Sequence, residues 1–325
     1  MKRFGRSDDG DLMERRPVTV RQNGKGKQPN APLGGVVGGG RKYSRAEAMR
    51  LLGGGLAATT LLSAGLARRA LAATSPSNPG SLYVLNWEDL AQRSVPGSPP
   101  PGWAREYDST VVHSDGKPQV KAYRQASLVP VRDGSYSVRF ALEKGDPVIN
   151  NGTRCELSAG LEPKGAERWY GFSIYLPSAW VYDQAAESVT QWHQHWSIGS
   201  SPPLAIVTRR GKWEISQNWE GPYFSNTPIG DYQRSRWTDW VVHVKWSAGS
   251  DGRLSIWKDG QPVPGFYNKQ GKNTYNSTYG NYMKIGIYKW AWSQNKPSDV
   301  TKRHMYYDAL RIADGSGSYA AVAPR

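Results

Sequence analysis

Short runs of alternating apolar and polar residues recur from residue 81 to the end of the chain. Examples are SYSVRFALE, RWYGFSIYL, WVVHVKWS, RLSIWKDGQPV, NYMKIGIYKW and HMYYDALRIA. Such alternation indicates half-buried β-strands, because successive side chains point to opposite faces of a sheet. Gly, Pro, Asn and Asp separate the runs, and no apolar stripe with a helical period interrupts them. The pattern therefore predicts an all-β protein.

These runs predict one large domain over residues 81–325. No Pro-rich or Ser-rich linker that would divide it appears after residue 102. The tetrapeptide KDGQ at residues 258–261 separates two of the runs and has the Asp-Gly signature of a tight hairpin. Many short antiparallel strands joined in this way favour a two-sheet antiparallel sandwich, a jelly roll of the concanavalin A-like type.

The first 72 residues differ in character from the rest. Residues 1–42 are rich in Gly, Arg and Lys and show no apolar periodicity, which predicts a disordered basic segment. An apolar run at residues 51–67 follows several arginines and precedes the tripeptide ALA. This order of positive, apolar and small residues predicts an export signal over residues 43–73, cleaved near Ala72.

The length of the apolar run bears on whether the chain stays anchored in a membrane. It is shorter than the roughly 20 apolar residues that span a bilayer, so we expect cleavage rather than a permanent anchor. Ser44 and Arg45, followed by LLGGG, resemble a twin-arginine signal with Ala46 in place of the second arginine. We therefore predict an exported protein, extracellular or periplasmic, that contacts a membrane only during export.

The net charge is also distributed unevenly between residues 1–72 and the rest of the chain. The chain carries a formal net charge of +15, from 42 Lys and Arg against 27 Asp and Glu. Residues 1–72 hold 14 of the basic and 5 of the acidic residues, whereas all 14 Trp lie beyond them. The folded part is thus only mildly basic, and we expect no nucleic-acid partner. The single cysteine excludes an intrachain disulfide and a cysteine-based zinc site.

Three predicted strands present chemically capable side chains on one face. Residues two apart share a face. This face carries Arg154 and Glu156 in TRCELS, Gln191, His193 and His195 in QWHQHW, and Tyr282, Lys284, Gly286 and Tyr288 in YMKIGIYKW. Trp192 and Trp196 are predicted to point the opposite way. Any half-exposed sheet alternates, but a solvent face seldom combines Arg, Gln, His and Tyr. If the strands are neighbours they form a groove floor, in which Gly286 leaves room for a ligand.

This combination of groups suits β-elimination from a uronic acid polymer. Loss of the C5 proton is opposed by the neighbouring carboxylate, so donors that neutralise it and stabilise the developing enolate lower the barrier. An Arg fork and a Gln amide are such donors. A His can take the proton, and a Tyr can protonate the leaving oxygen. Lys284 would favour the ionised form of Tyr288, which could then also act as base. The scheme requires no metal.

The same three segments resemble the strand motifs of jelly-roll alginate lyases, which are Arg-x-Glu-Leu, Gln-x-His and Tyr-x-Lys-x-Gly-x-Tyr. The wider pattern over residues 82–314, with Tyr-Tyr-Asp at residues 306–308, is similar to the polysaccharide lyases that include glucuronan lyase and heparin lyase I. The resemblance implies a secreted lyase that cleaves a uronic-acid-containing polysaccharide. Lys289 and Trp290 depart from the alginate lyase pattern, as does Trp192, and these departures favour a glucuronan-type or heparin-type substrate.

The resemblance also implies roles for individual residues. Arg154 and Gln191 would neutralise the substrate carboxylate. His193 would be the base or a carboxylate partner, Tyr288 the acid and possibly the base, and Lys284 a supporting cation. The predicted catalytic residues are therefore Arg154, Gln191, His193 and Tyr288.

A second set of residues is predicted to bind substrate, namely Glu156, His195, Tyr282, Lys284 and Trp290. We expect Glu156 to pair with Arg154 and orient it. His195 lies at the groove margin, where a substrate contact and a plain surface histidine are equally consistent with the sequence. Trp290 lies near a loop and could stack on a sugar ring.

No cofactor is predicted, although scattered ligands for a structural calcium stay possible without an Asp-x-Asp-x-Asp-Gly loop. We expect a monomer with an acidic polysaccharide as its partner. A non-catalytic lectin-like domain on the same fold is the alternative, but it would not need Arg, Gln, His and Tyr together. A retaining glycoside hydrolase needs paired carboxylates, and EYDSTV at residues 106–111 lacks the second glutamate.

Overall fold

Seventeen β-strands are the main secondary structure of the chain that the computed structural model describes, which comprises residues 82–85, 87–88, 99–198, 201–219 and 225–325. The strands, in chain order, are β1 Leu82–Leu85, β2 Ala104–Glu106, β3 Val120–Arg124, β4 Tyr136–Glu143, β5 Val148–Ile149, β6 Gly152–Ser158, β7 Glu167–Leu176, β8 Glu187–Gln194, β9 Leu204–Arg209, β10 Lys212–Gln217, β11 Ser225–Asp231, β12 Arg236–Lys245, β13 Arg253–Lys258, β14 Gln261–Pro262, β15 Lys269–Gln270, β16 Asn281–Tyr288 and β17 Lys302–Asp314. The predicted basic segment and export signal lie outside the described residues.

The strands form two antiparallel sheets, as predicted. The larger sheet has the order β14-β13-β12-β7-β17-β4-β3, with β1 also paired to β17 and β15 to β13. The smaller sheet has the order β11-β10-β9-β8-β16-β6-β2, with β5 also paired to β6. About half of the strand pairs join segments that are distant in sequence, such as β7 with β17 and β8 with β16. The fold therefore depends on long-range pairing that short-range patterns do not specify.

Helical structure is confined to short segments in the described residues. A 3-10 turn covers Trp196–Ile198, helix α1 covers Trp290–Ser293 and helix α2 covers Tyr319–Val322. No helix in this part of the chain is long and apolar enough to cross a membrane. The KDGQ tetrapeptide forms the predicted hairpin between β13 and β14, where Asp259 and Gly260 both have positive φ, 50° and 78°.

Aromatic side chains from the two inner faces fill the space between the sheets. Phe172 of the larger sheet stacks on Tyr307 with ring centroids 5.2 Å apart, and Tyr170 meets Trp192 of the smaller sheet edge-on at 5.3 Å. All four rings are almost completely buried. Burial of each stabilises the fold by about 1.5–3 kcal/mol. The smaller sheet thus has one face fixed against the core, and its other face is available for function.

Candidate active site

The three strands that carry the predicted site residues are neighbours, in the order β8-β16-β6, and this prediction is confirmed. The register forms cross-strand pairs between Lys284 and Gln191, Tyr282 and His193, and Tyr288 and Arg154. Because paired residues in a sheet lie side by side on one face, the alternation of polar residues within each strand becomes a continuous polar floor. The short strand β2 extends this floor beyond β6.

Four charged side chains form a buried ionic network in the floor, which we call the cleft network: Glu106, Arg154, Glu156 and Lys284. Arg154 Nη1 lies 3.0 Å from Glu156 Oε2 and 3.4 Å from Glu106 Oε2, and Lys284 Nζ lies 2.7 Å from Glu106 Oε2. All four are buried. Buried charges are tolerated when they are paired and hydrogen-bonded, and two cations here balance two anions. The pairing of Glu156 with Arg154 is the one expected from the sequence.

Glu106 is a member of this network that the sequence analysis missed. It lies on β2 directly opposite Glu156 of β6. Burial would raise the pKa of Glu106, but Lys284 and Arg154 outweigh burial and hold that pKa at about 2. A strand of three residues shows no periodicity, and only its partner strand reveals that Glu106 belongs to the floor.

Arg154 is held by more partners than the sequence suggests. Its Nε donates to the carbonyl oxygen of Ile149 at 3.0 Å, and its Nη2 donates to that of Asn150 at 3.2 Å. Together with the carboxylates of the cleft network, these acceptors occupy most of the five guanidinium N–H groups. Arg154 therefore faces a substrate mainly as a fixed positive charge, and a two-pronged clamp on a substrate carboxylate would require it to leave Glu156.

Gln191 is buried and only half satisfied. Its Nε2 donates to Glu156 Oε1, whereas its Oε1 has no hydrogen-bond partner. A buried polar atom without a partner costs about 1–3 kcal/mol, and such atoms mark functional sites or missing ligands. A sugar hydroxyl is a donor that would satisfy this oxygen.

His193 is half-buried, and its surroundings fix its tautomer. Its Nδ1 lies 2.8 Å from the carbonyl oxygen of Gln194, which can only accept, so Nδ1 carries the proton. Nε2 is then the unprotonated nitrogen. Burial, assisted by Lys284, lowers the pKa of His193 to about 4, and the ring is neutral at neutral pH. The arrangement leaves Nε2 able to accept a proton.

Tyr288 is half-buried, and its phenol is protonated at neutral pH. Its ring lies under the Arg154 guanidinium, with 3.9 Å between the guanidinium carbon and the ring centroid. Burial raises the pKa of Tyr288 above its ordinary value, although Arg154 and Lys284 act in the opposite direction. Lys284 thus favours the ionised form of Tyr288, as expected from the sequence, but burial outweighs the cations and the net pKa is raised.

Two glycines make this floor possible, for different reasons. At Gly152 an added Cβ would collide with the Tyr288 ring, so the missing side chain makes room for the phenol. At Gly286 a Cβ would collide with the Cys155 carbonyl oxygen, and the residue has φ of +127° beside a bulge in β16. The predicted role of Gly286 in leaving room for a ligand is therefore wrong, since its space accommodates the backbone of β6.

The remaining predicted substrate-binding residues surround this centre. Tyr282 is half-buried, with its ring centroid 5.6 Å from that of His193 and 5.4 Å from Lys284 Nζ. Trp290 begins helix α1, and its ring lies 5.5 Å from that of Tyr288. It also packs against a small apolar cluster on the same sheet. Tyr282 and Trp290 thus lie on opposite sides of the floor, next to His193 and Tyr288 respectively.

His195 and Trp196 lie at the end of β8, where the predicted alternation fails. The strand ends at Gln194, and a 3-10 turn begins at Trp196. His195 is half-buried at the margin of the floor. Trp196 is exposed rather than directed into the core, so that part of the prediction is wrong. The two-residue alternation applies only while the chain stays extended.

Lys289, which departs from the alginate lyase pattern, belongs to a second buried ionic network. We call it the anchor network: Asp183, Glu187, Lys289 and Arg303. Lys289 Nζ lies 2.7 Å from Asp183 Oδ2 and also pairs with Glu187, while Arg303 Nε lies 3.2 Å from Glu187 Oε1. All four side chains are buried. Because Lys289 directly follows Tyr288, this network fixes the end of β16 that carries the phenol.

Cys155 lies on the core side of β6 and takes no part in the floor. It is fully buried, and burial raises the pKa of its thiol, so the thiol is neutral and acts as an apolar side chain. Among the described residues, no group of three or more His, Cys, Asp or Glu side chains is arranged to hold a metal ion.

Comparison with known proteins connects this site to a family. A family model described as polysaccharide lyase matches residues 102–311. No curated protein matches the sequence. Among solved structures, the fold is similar to that of an endo-beta-1,4-glucuronan lyase from the fungus Trichoderma reesei, with 17% identity, a TM-score of 0.54 and coverage of 68% of this chain and 97% of that one.

A second solved structure is more distant. An alginate lyase from Pseudomonas aeruginosa is 15% identical, with a TM-score of 0.42 and coverage of 58% of this chain and 87% of its own. At these identities the likeness concerns the fold. The fold shared with the fungal enzyme confirms the jelly-roll sandwich predicted from the sequence.

Proposed function

Since the chain belongs to the polysaccharide lyase family, we propose that it cleaves a uronic-acid-containing polysaccharide by β-elimination and leaves an unsaturated uronate end. The observation that carries this proposal is the arrangement of two half-buried groups on one polar floor. His193 presents an unprotonated Nε2, and Tyr288 presents a protonated phenol next to Arg154. A proton acceptor and a proton donor beside buried cations are the groups that elimination requires.

The first chemical event in this proposal is removal of the C5 proton by His193. Nε2 accepts the proton, and the electron pair of the broken C5–H bond passes into the carboxylate as an enolate; it forms the C4–C5 double bond when the bond from C4 to the bridging oxygen breaks. A neutral His193 uses its one N–H group on the carbonyl oxygen of Gln194, and so it has no donor left for a substrate carboxylate. This supports the role of base over that of carboxylate partner, the two alternatives that the sequence left open.

The second event is breakage of the bond between C4 and the bridging oxygen. The electron pair of that bond goes to the oxygen, and Tyr288 donates its phenolic proton there. A raised pKa suits a group that must hold its proton until this step. Transfer of the C5 proton from His193 to the Tyr288 phenolate, directly or through water, restores both groups. Atoms and charges then balance over one turnover, and no metal takes part.

The cleft network provides for the charge of the substrate carboxylate. With both glutamates ionised, the network is neutral. Burial raises the pKa of Glu156, although Lys284 and Arg154 oppose the shift. A proton on Glu156 would leave one net positive charge in the floor, which matches one uronate carboxylate. The amide of Gln191 lies against the same glutamate and supplies a further donor.

Two observations support glucuronan as the preferred polymer over alginate or heparin. The fungal protein with a similar fold is described as a glucuronan lyase. Lys289, one of the residues that depart from the alginate lyase pattern, is committed to the anchor network. We further propose that the protein acts outside the cytoplasm as a monomer, after removal of its export signal near Ala72.

The test is to incubate the purified protein with glucuronan, alginate, heparin and a neutral glucan while following the ultraviolet absorbance of unsaturated uronate. We expect the fastest rise on glucuronan and none on the neutral glucan. New reducing ends without that absorbance would instead indicate hydrolysis. Binding without any cleavage would indicate the lectin-like alternative. Activity that survives treatment with EDTA would agree with a metal-free mechanism, and a lowered melting temperature in EDTA would reveal a structural calcium.

A further inference from the structure

Three aromatic rings, two of them exposed and one half-buried, lie together at the end of the cleft floor, beyond His193. They belong to His195, Trp196 and Tyr279, and we call them the aromatic platform. The His195 ring stacks on the Tyr279 ring with centroids 3.8 Å apart and an interplanar angle of 16°, and the Trp196 ring lies 4.9 Å from His195. Trp196 is 67% exposed and Tyr279 is 49% exposed. The rings are therefore ordered by one another and not by the core.

The exposure of Trp196 distinguishes it from the other tryptophans of the described residues. Most of the tryptophans in the described residues are buried or half-buried, as expected when burial of apolar surface stabilises a fold by about 25 cal/mol per Å². A single exposed apolar residue needs no explanation, whereas a contiguous exposed patch marks a binding surface. The outward face of an exposed aromatic ring such as that of Trp196 fits the C–H face of a pyranose ring.

The histidine of the platform is held in a defined state. Ser197 N donates to His195 Nδ1 at 3.2 Å, and the Ser197 hydroxyl lies 2.7 Å from the same nitrogen. A nitrogen that accepts from a backbone N–H carries no proton, so the hydrogen is on Nε2. Partial burial also lowers the pKa of His195. The ring thus offers a neutral stacking face and one N–H group for a sugar hydroxyl or carboxylate.

The platform continues the catalytic floor. His195 is two residues beyond His193 and directly follows Gln194, the last residue of β8. Tyr279 precedes β16, whose first cleft-facing side chain, Tyr282, lies beside His193. A polymer chain lying over His193 and Tyr288 would therefore pass over the platform at one end.

We infer that the aromatic platform is a distal subsite, which stacks a sugar ring of the same polysaccharide chain away from the bond that is cleaved. This inference rests on the proposed function, because the occupant is the proposed substrate. A subsite at a distance from the reacting bond increases the affinity for long polysaccharide chains. The shortest oligosaccharides do not reach it, so their binding is unaffected. The platform would thus make the enzyme selective for polymer over short oligosaccharides.

The experiment compares Trp196→Ala and Tyr279→Ala with the control Tyr267→Ala. Tyr267 is exposed to a similar extent, 45%, but it packs on Trp257 of the larger sheet. Steady-state kinetics are measured on glucuronan and on a size series of its oligosaccharides. We expect each platform variant to raise KM on the polymer about tenfold at unchanged kcat. This pattern is expected when the lost contact binds the ground state and the transition state equally well. Rates on the shortest cleaved oligosaccharides should match those of the unaltered protein.

Two results would overturn the inference. One is a platform variant with wild-type KM on the polymer, and the other is an equal loss on long and short substrates. If the unaltered protein cleaves no polyuronate, the proposed function fails, and the platform is tested separately by electrophoresis through gels that contain glucuronan. Retardation that is lost in Trp196→Ala and kept in Tyr267→Ala would support the platform, and equal migration of the two variants would refute it.

Discussion

The cleft network and the anchor network contain the same types of groups and differ in what surrounds them. Each pairs two carboxylates with two basic side chains, all buried. The carboxylates of the anchor network also accept hydrogen bonds from neutral donors, with the Ser298 hydroxyl 2.6 Å from Asp183 and the Thr208 hydroxyl 2.9 Å from Glu187. The carboxylates of the cleft network accept instead from two amides, those of Asn150, at 3.2 Å from Glu106, and Gln191. Each network also has buried polar atoms without a hydrogen-bond partner, namely Arg303 Nη1 and Nη2 in the anchor network and the amide oxygen of Gln191 beside the cleft network.

The pKa values of the carboxylates depend on these partners. Burial alone would raise the pKa of Asp183, but hydrogen bonds from Lys289 and Ser298 outweigh burial and lower it. In the cleft network the two glutamates differ: Lys284 and Arg154 hold the pKa of Glu106 at about 2, whereas burial raises the pKa of Glu156 despite the same cations. Hydrogen bonds that keep a buried carboxylate ionised suit a stabilising network, whereas a glutamate with a raised pKa beside two cations suits a site that receives an anion. Two carboxylates and two basic side chains can thus serve either stability or substrate binding, depending on their surroundings.

The largest effect should come from Tyr288→Phe, which removes the proton donor beside the cleft network. Because a positioned acid contributes about 10²–10⁴ in rate, we expect kcat to fall by that factor while polymer binding and the melting temperature stay near those of the unaltered protein. Turnover is followed by absorbance of unsaturated uronate, with Tyr267→Phe on the other sheet as the control. Full activity in Tyr288→Phe would remove this residue from the mechanism.

Lys289→Met should distinguish the roles of the two networks, because we expect it to lower the free energy of unfolding and not the activity. It leaves Asp183 and Glu187 with fewer positive partners, and breaking a buried ion pair costs about 3–5 kcal/mol. Urea unfolding followed by tryptophan fluorescence measures that loss. We expect the molecules that remain folded at low temperature to keep most of their kcat. A variant with unchanged stability and lost activity would show that the anchor network belongs to the chemistry.

Gly152→Ala should disturb the cleft without a change of charge. The new methyl group would press on the Tyr288 ring, and a misplaced proton donor loses rate. We expect kcat to fall about tenfold or more, with a loss of stability of about 1–3 kcal/mol from overpacking. Kinetics and urea unfolding are measured on the same preparation. Ala166→Gly, away from the cleft floor, controls for the general cost of a small-residue exchange.

The smallest expected effect concerns the pH dependence of kcat/KM. The base must be neutral to act, so kcat/KM should fall as the pH drops through the His193 pKa of about 4. Tyr288, with a pKa raised by burial, should keep its proton at neutral and mildly alkaline pH. The pH–rate profile in buffers of constant ionic strength measures both limits. An acid limb near the ordinary histidine pKa of about 6.5 would contradict the environment described for His193.

The sequence contained enough information to predict the fold class and most of the cleft floor. Alternation in β6, β8 and β16 identified which side chains share a face, and four residue types on those faces indicated the chemistry. Glu106 was missed because its strand has three residues, and Trp196 was misplaced because β8 ends at Gln194. Local patterns do not report where extended structure stops.

The sequence by itself determined which side chains of each strand point the same way, since the two-residue alternation is a property of the extended backbone. Only the tertiary structure decided which strands are neighbours, because that depends on pairing between segments far apart in the chain. It is this pairing that brings Glu106 to Lys284, commits Arg154 to protein acceptors and gathers the aromatic platform. Burial, which also depends on the whole fold, then set the pKa values of His193 and Tyr288.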